Sequence, residues 1–284
     1  MTSLLCLTAA LLSADGVADA KHIASNPVYA ELRQTGLTIG EQDPFKLPAP
    51  TMDDGLTGKQ QEAIIEQVGG KAFPLDRLTR DFIYAPYVLK KIEEVDCPSV
   101  DSKAKFVNVY FVAYGNFDDL AKNGKPEDDW KTIEEPDLAK RGIDEVDTKH
   151  ERYGHITRNL IDYVELQAAV RTFWSQTNDS LIFATQLAPQ FSGDSEFPNH
   201  WQKLVRKKPT GPKHPYEHLG MYIKVTRLKD YDEGLFIEVH VVFSEPEGWF
   251  GGRNRLVSKL PQVVQTEVRD ARQDMKAARK GGRR

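Results

Sequence analysis

The sequence predicts an α+β fold in which a curved antiparallel sheet packs against a long C-terminal helix. Three observations carry this. Residues 221–228 alternate, with Met221, Ile223 and Val225 on one side and Tyr222, Lys224 and Thr226 on the other, which is the period of a half-buried strand. Residues 235–243 alternate again: Leu235, Ile237, Val239, Val241 and Phe243 share one face, and Glu238 and His240 lie opposite. The polar break between them ends in Gly234, as a longer hairpin loop requires. Leu256, Leu260, Val263, Val264, Val268, Ala271 and Met275 then recur at helical spacing. They predict a helix over 256–279, with Ser258 as N-cap and Pro261 in the first turn, where a missing N–H matters little.

Taken in order, the chain opens with an apolar run over residues 4–12, too short to cross a bilayer, followed by Ala18-Asp19-Ala20. The two together predict a secretory signal peptide cleaved after Ala20, and so a secreted or periplasmic protein, although no Lys or Arg precedes the run. Cys6 lies inside that segment, so cleavage would leave Cys97 alone and exclude an intramolecular disulfide. Residues 21–56 read as an N-terminal segment: a short helix over 24–36, then a connector holding Pro44, Pro48, Pro50 and Gly55. A single domain is expected over 57–279, with a basic tail at 280–284. Thr57 caps a surface helix through Val68, whose apolar positions are Ala63, Ile64 and Val68 and which Gly69-Gly70 stops.

Strand-forming residues return over 73–97, interrupted by Pro86, and FVNVYFVAY at 106–114 is the strongest strand of the first half. Residues 116–121 suggest a short helix. The acid-rich stretch 123–150 reads as a long loop with one helical turn. Three strands follow: residues 153–166 read as one, continuing or bending into 168–176, and Asn178-Asp179 turns the chain into a return strand at 181–187. Residues 189–218 read as a second long loop, with Phe191, Phe197 and Trp201 folding back onto the core.

With 284 residues, 40 % hydrophobic and 28 % charged, the composition is that of an ordinary globular protein. A net charge of −4 argues against general nucleic-acid binding. The only concentrated basic stretch in this reading is the C-terminal tail, taken as a solvated helix end.

The order of elements, closing with VHVVFSEPEGWFGGRNRLVSKLP at 239–261, resembles the START-type helix-grip fold of lipid-transfer domains. The strands WSQTNDSLIFATQLAP (174–189) and GMYIKVTRL (220–228) fall in a compatible order. The resemblance is a pattern over 57–279, with local similarity mainly over 174–279. It implies an apolar cavity between sheet and helix that takes a hydrophobic small molecule or lipid. The implied lining is Ile237, Val239 and Val241 from the sheet, with Trp249, Phe250, Leu256, Leu260 and Val264 from the lid. Read from the residues themselves, His240 with Tyr222 or Arg227 across the hairpin would orient a polar ligand group if that face is the concave one; otherwise His240 is a satisfied or exposed sheet residue. The same apolar residues would equally fill a solid core.

Signatures of catalysis are missing. His150-Glu151-Arg152-Tyr153-Gly154-His155 has one residue too many for an HExxH zinc site, so its imidazoles diverge on a helix or a strand. His214 and His218 flank Pro215, which opposes the helix their spacing would need. Ser195 lacks the second glycine of a nucleophile elbow, and Asp230-Tyr231-Asp232-Glu233-Gly234 lacks the distal glutamate of a calcium loop. No cofactor, metal or catalytic residue is therefore assigned. The expectation is a non-enzymatic exported domain that binds an apolar small molecule or lipid, without nucleic acid and without a transmembrane segment in the mature chain. The alternatives are a ligand-independent scaffold or envelope-interaction protein, and a metal-dependent hydrolase using His150 and His155.

Overall fold

Alternating apolar residues in β-branched and aromatic runs build the sheet. The structure is a computed structural model. It describes residues 17–39, 43–90, 92–95, 102–122, 130–246, 248–250 and 255–281. The apolar run at 4–12 with Cys6, and Cys97, lie outside the described residues.

Among the described residues, eleven strands form one open antiparallel sheet. They are β1 (Val88–Leu89), β2 (Glu93–Val95), β3 (Ser102–Tyr114), β4 (Trp130–Thr132), β5 (Glu151–Leu160) and β6 (Val164–Gln176), then β7 (Ser180–Leu187), β8 (His200–Val205), β9 (Lys208–Pro215), β10 (Leu219–Arg227) and β11 (Gly234–Pro246). The spatial order is β1-β3-β11-β10-β7-β6-β5-β4, with β2 also on β3, β8 on β6 and β9 on β8. The hairpin read from the sequence holds: Met221 pairs with Val241, Tyr222 with His240 and Ile223 with Val239.

Helices α1 (Val17–Ser25) and α2 (Pro27–Ala30), with a π-helical turn at Glu31–Thr35, precede α3 (Gly58–Gly69) and α4 (Leu75–Leu78). Then come α5 (Phe117–Lys122), α6 (Glu135–Ala139) and α7 (Arg255–Gly281). Thr57 caps α3 as expected, in a reciprocal capping box with Gln60. The buried positions of α3 are Gly58, Gln61, Ile65, Val68 and Gly69, while Lys59, Gln60, Ala63, Glu66 and Gln67 are exposed, so it is a surface helix with one packed face, on which Gln61 and Ile65 and not Ala63 lie.

Several expectations are corrected. The three strands expected over 153–187 are present, but the first break falls earlier than residue 167: the chain reverses at Ile161 and Asp162, both at positive φ (56° and 60°), and β5 pairs with β6 from Leu160↔Val164 back to Glu151↔Phe173. No glycine marks this turn, so nothing in the residue types places the break at 161–162. The 189–218 stretch contains the β8–β9 hairpin, and 123–150 contains β4 and α6. Trp130 of β4 packs on Gly154, where an added Cβ would come within 2.1 Å of the indole. Among the described residues between 73 and 97, the elements are α4, exposed turns around Phe82 and Tyr84, and two short strands. Helix α7 is 27 residues long and begins before Ser258, so Ser258 is not its cap and Pro261 lies inside it. There the missing N–H deletes one internal hydrogen bond.

The segment before Thr57 is not a detached connector. Val28, Tyr29, Leu32 and Leu47 are at most 1 % exposed and pack on Phe106, Phe173, Ile182, Ala184, Tyr222 and Val242 of the sheet. Helix α7 covers the other face, against Val109, Phe111, Leu181, Val225 and Ile237. The sheet is thus covered on both sides.

Candidate ligand-binding groove

Pairing register assigns each residue to a face, and the two faces differ in how well they are sealed. On the face under the N-terminal segment, Tyr222, Lys224, Thr226, Phe236, Glu238, His240 and Val242 are all at most 1 % exposed. On the face under α7, one row is sealed: Phe111, Ile237, Val225 and Leu181 are buried. The next row, Val239–Ile223–Phe183–Trp174, is half-buried throughout. So is the row after it, Val241–Met221–Thr185–Thr172, which continues to Arg152 on β5.

The result is a groove with a graded floor. Beneath α7 it is aliphatic. Toward β5 it becomes polar: the Thr172 and Thr185 hydroxyls meet at 2.9 Å. The exposed Arg152 guanidinium stands 5.1 Å from the Trp174 ring, a cation–π distance. Past Trp174 the surface opens into a cleft of about 680 Å³ lined by Lys149, His150 and Arg152 among others. On the far side of α7 a second open cleft, about 800 Å³, separates Lys259, Gln262, Val263 and Thr266 from Ile161–Tyr163 and Leu204–Arg206.

Both halves of α7 are anchored. At its start Leu256 joins Trp249, Phe250, Val164 and Leu166 in an apolar cluster. Tyr87 donates its hydroxyl to the Pro261 carbonyl at 2.8 Å. Toward its end Arg272, 6 % exposed, donates to the carbonyls of Val112 (2.9 Å), Ala85 (2.5 Å) and Pro86 (3.1 Å). Burial lowers its pKa to about 10, so the guanidinium stays charged at neutral pH. Between the anchors, Leu260 and Val264 remain half-buried over the groove.

The residues singled out from the sequence divide accordingly. Val239, Val241, Leu260 and Val264 lie in the half-open groove. Ile237 is in the sealed row, and Trp249, Phe250 and Leu256 close the cluster at the start of α7. His240 and Tyr222 point the other way and have no access to the groove. Their rings stack at 4.6 Å, Tyr222 donates to the Pro48 carbonyl, and His240 Nδ1 meets Asn108 at 2.5 Å. Burial pushes the Tyr222 hydroxyl pKa well up. The sequence reasoning missed Ile223, Phe183, Trp174, Thr172, Thr185 and Arg152. Ile223 and Phe183 were open to it, because strand alternation with the hairpin register puts them beside Val239.

Behind His240 lies a buried polar network. Glu238 accepts the backbone N–H groups of Thr51 (2.7 Å) and Met52 (3.0 Å). Lys224 donates to the Met52 carbonyl at 2.6 Å and pairs with Asp54 at 3.1 Å. Asp54 also accepts from Ser180 and Thr177, and Ser180 reaches His22 at 2.9 Å. Burial raises the Asp54 carboxyl pKa, but Lys224 and these hydroxyls outweigh it and hold it below the usual range. Every member is spent on tying down residues 17–56. The network is structural cement, not an open site.

His150 and His155 do not converge. His150 bonds Asp147 at 2.8 Å and stacks on Phe173, whereas His155 is buried beside Phe197 and bonds the Pro198 carbonyl. Among the described residues no group of three or more His, Cys, Asp or Glu side chains is placed to hold a metal. Among the described residues no helix is long and apolar enough to cross a membrane.

Comparison with known proteins adds little at the level of sequence: no protein-family model and no curated protein matches the chain. Among solved structures, human STARD10 aligns over 88 % of this chain and 87 % of its own, with a TM-score of 0.37 and 7 % identity. A conserved protein from Geobacillus kaustophilus aligns over 61 % of this chain and 97 % of its own, with a TM-score of 0.29 and 6 % identity. Similarity this low carries no inference about a ligand or an activity.

Proposed function

We propose that this chain binds an amphipathic small molecule of the lipid class between the sheet and α7, and holds it without transforming it. The supporting observation is the half-open pair of rows running from Val239 and Val241 to Trp174, Thr172 and Arg152. A sheet face packed only for stability would be sealed, as the opposite face is. Leaving apolar side chains half-exposed forgoes roughly 25 cal/mol for each Å² left in water, a loss that a bound apolar body would recover. The gradient from aliphatic to hydroxyl to guanidinium fits a ligand with an apolar tail under α7 and an anionic or strongly polar end near Arg152.

The test is extraction of the purified, folded protein with organic solvent for mass spectrometry, alongside titration with a fluorescent fatty acid. A stoichiometric apolar compound, or saturable uptake that Ile223→Trp abolishes and Arg152→Ala weakens about tenfold or more, supports the reading. A clean extract together with no uptake by the folded protein overturns it.

A further inference from the structure

The β5–β6 and β8–β9 hairpins end side by side, joined by the Leu204 N–H to the Tyr163 carbonyl at 2.7 Å. Their tips carry exposed apolar side chains, Tyr163 at 42 % and Val205 at 56 %, and Val263 of α7 faces them across the 800 Å³ cleft at 39 % exposure. Three of the five large apolar residues exposed among those described therefore share one edge of the molecule. The same edge is basic. Lys203, Arg206, Lys207, Lys208 and Lys213 are all exposed, and no Asp or Glu occurs from residue 197 to 216. Lys259 adds a further cation, and Asp162 and Glu267 are the acids bordering the cleft. In a chain of net charge −4 this is a second concentrated basic stretch, which composition alone concealed.

The tip itself is conformationally costly. Arg206 and Lys207 form a two-residue turn between Val205 and Lys208 with φ of 53° and 63°. That is left-handed backbone which Gly or Asn would fill with less strain.

We infer that this paired hairpin edge docks on an anionic lipid bilayer, with Val205 and Tyr163 entering the headgroup layer and the surrounding lysines and arginine meeting lipid phosphates and carboxylates. Apolar side chains at a protruding tip, flanked by cations, fit a charged interface with apolar material beneath it. A nucleic acid or an acidic protein would use the cations but leave the apolar tips unexplained. Docked this way, the cleft between α7 and the hairpins would face the bilayer. Only this last orientation depends on the ligand-groove reading; the docking itself does not.

The test is co-sedimentation of the full chain with vesicles of phosphatidylcholine, with and without phosphatidylserine, at low and high salt. Binding should require phosphatidylserine and weaken as salt screens the cations. The triple variant Arg206→Asn, Lys207→Asn, Lys208→Gln should bind roughly 100-fold more weakly, from about a factor of five per cation removed. Asn suits the turn, so this variant should keep or raise the wild-type Tm, and a lost interaction is then not a lost fold. Val205→Asp should weaken binding without changing net basicity elsewhere. Equal binding to neutral vesicles, no binding to phosphatidylserine vesicles, or an unaffected triple variant would overturn docking. Fatty-acid uptake measured on the same variants should be unchanged, which separates failure of docking from failure of the groove.

Discussion

Replacing Arg272 by Met should free the C-terminal half of α7 from the sheet. The guanidinium makes three good hydrogen bonds to the carbonyls of Val112, Ala85 and Pro86. Bonds to a charged donor contribute roughly 2 kcal/mol each, or about 6 in all. Against that stands the burial of the cation. Its pKa falls from 12.5 to about 10, and at about 1.4 kcal/mol per tenfold this is roughly 3 kcal/mol. The net is about 3 kcal/mol in favour of the arginine. For a chain of this size that is a fall in Tm of roughly 6–12 °C. Lys should recover about half, because one ammonium cannot span three carbonyls. Thermal unfolding gives the stability, and hydrogen exchange of the amides beyond residue 268 gives the location. If the Met variant melts within a degree or two of wild type, or if α7 stays protected, then the carbonyl latch does not hold the helix and the accounting above is wrong.

Two further expectations follow from the other face. Burial, and then the charge of Lys224, lower the His22 pKa to about 4. The unfolded chain takes up this proton near pH 6.5 while the fold resists it, so stability should be full above about pH 6.5 and fall by up to about 3 kcal/mol as pH drops toward 4. His22→Gln should flatten that acid limb in urea titrations at stepped pH; an unchanged slope would exonerate His22. The second concerns the N-terminus. Asp19 accepts from the Tyr29 hydroxyl (2.5 Å) and from Arg33 (3.1 Å), and cleavage after Ala20 would cut within α1 and remove it. A chain beginning at Lys21 should therefore be about 1–2 kcal/mol less stable than one beginning at Val17. Equal urea midpoints would show that α1 before residue 21 contributes nothing.

The terminal helix and the β10–β11 hairpin were readable because each has a clean period and one polar break. What defeated sequence reading was a set of local choices that leave no residue-type signal. The β5–β6 turn is made by Ile161 and Asp162, so the sequence places the break near residue 167 and shows a continuation or bend where the chain reverses. The stretch at 189–218 reads as loop because it is rich in Lys, Pro and His, yet β8 buries His200, Trp201 and Leu204 alone, and β9 is exposed along almost its whole length. The residues around Pro48 and Pro50 were read as a connector because their hydrogen bonds go to side chains far away in sequence, Glu238 and Lys224 among them, and not to neighbours.

Lys224, Glu238 and His240 show why the candidate site was only half visible. In an alternating strand such residues are normally read as the wet side, which makes the apolar side the sealed one. Here the rule is inverted. The polar side is covered by residues 17–56, and its two charges, Lys224 and Glu238, are paired within the fold, while the apolar side is left half-open beneath α7. Buried charges gain little stability over an apolar core, but Glu238 and Lys224 each bind the backbone at Thr51 and Met52, so these two fix where the N-terminal segment lies. With one face locked by polar pairing, packing on the other face can be relaxed without losing the register of the sheet. A strand carrying charges on one side and valines on the other thus has two readings, and the discriminating question is which side finds backbone donors and carbonyls elsewhere in the chain.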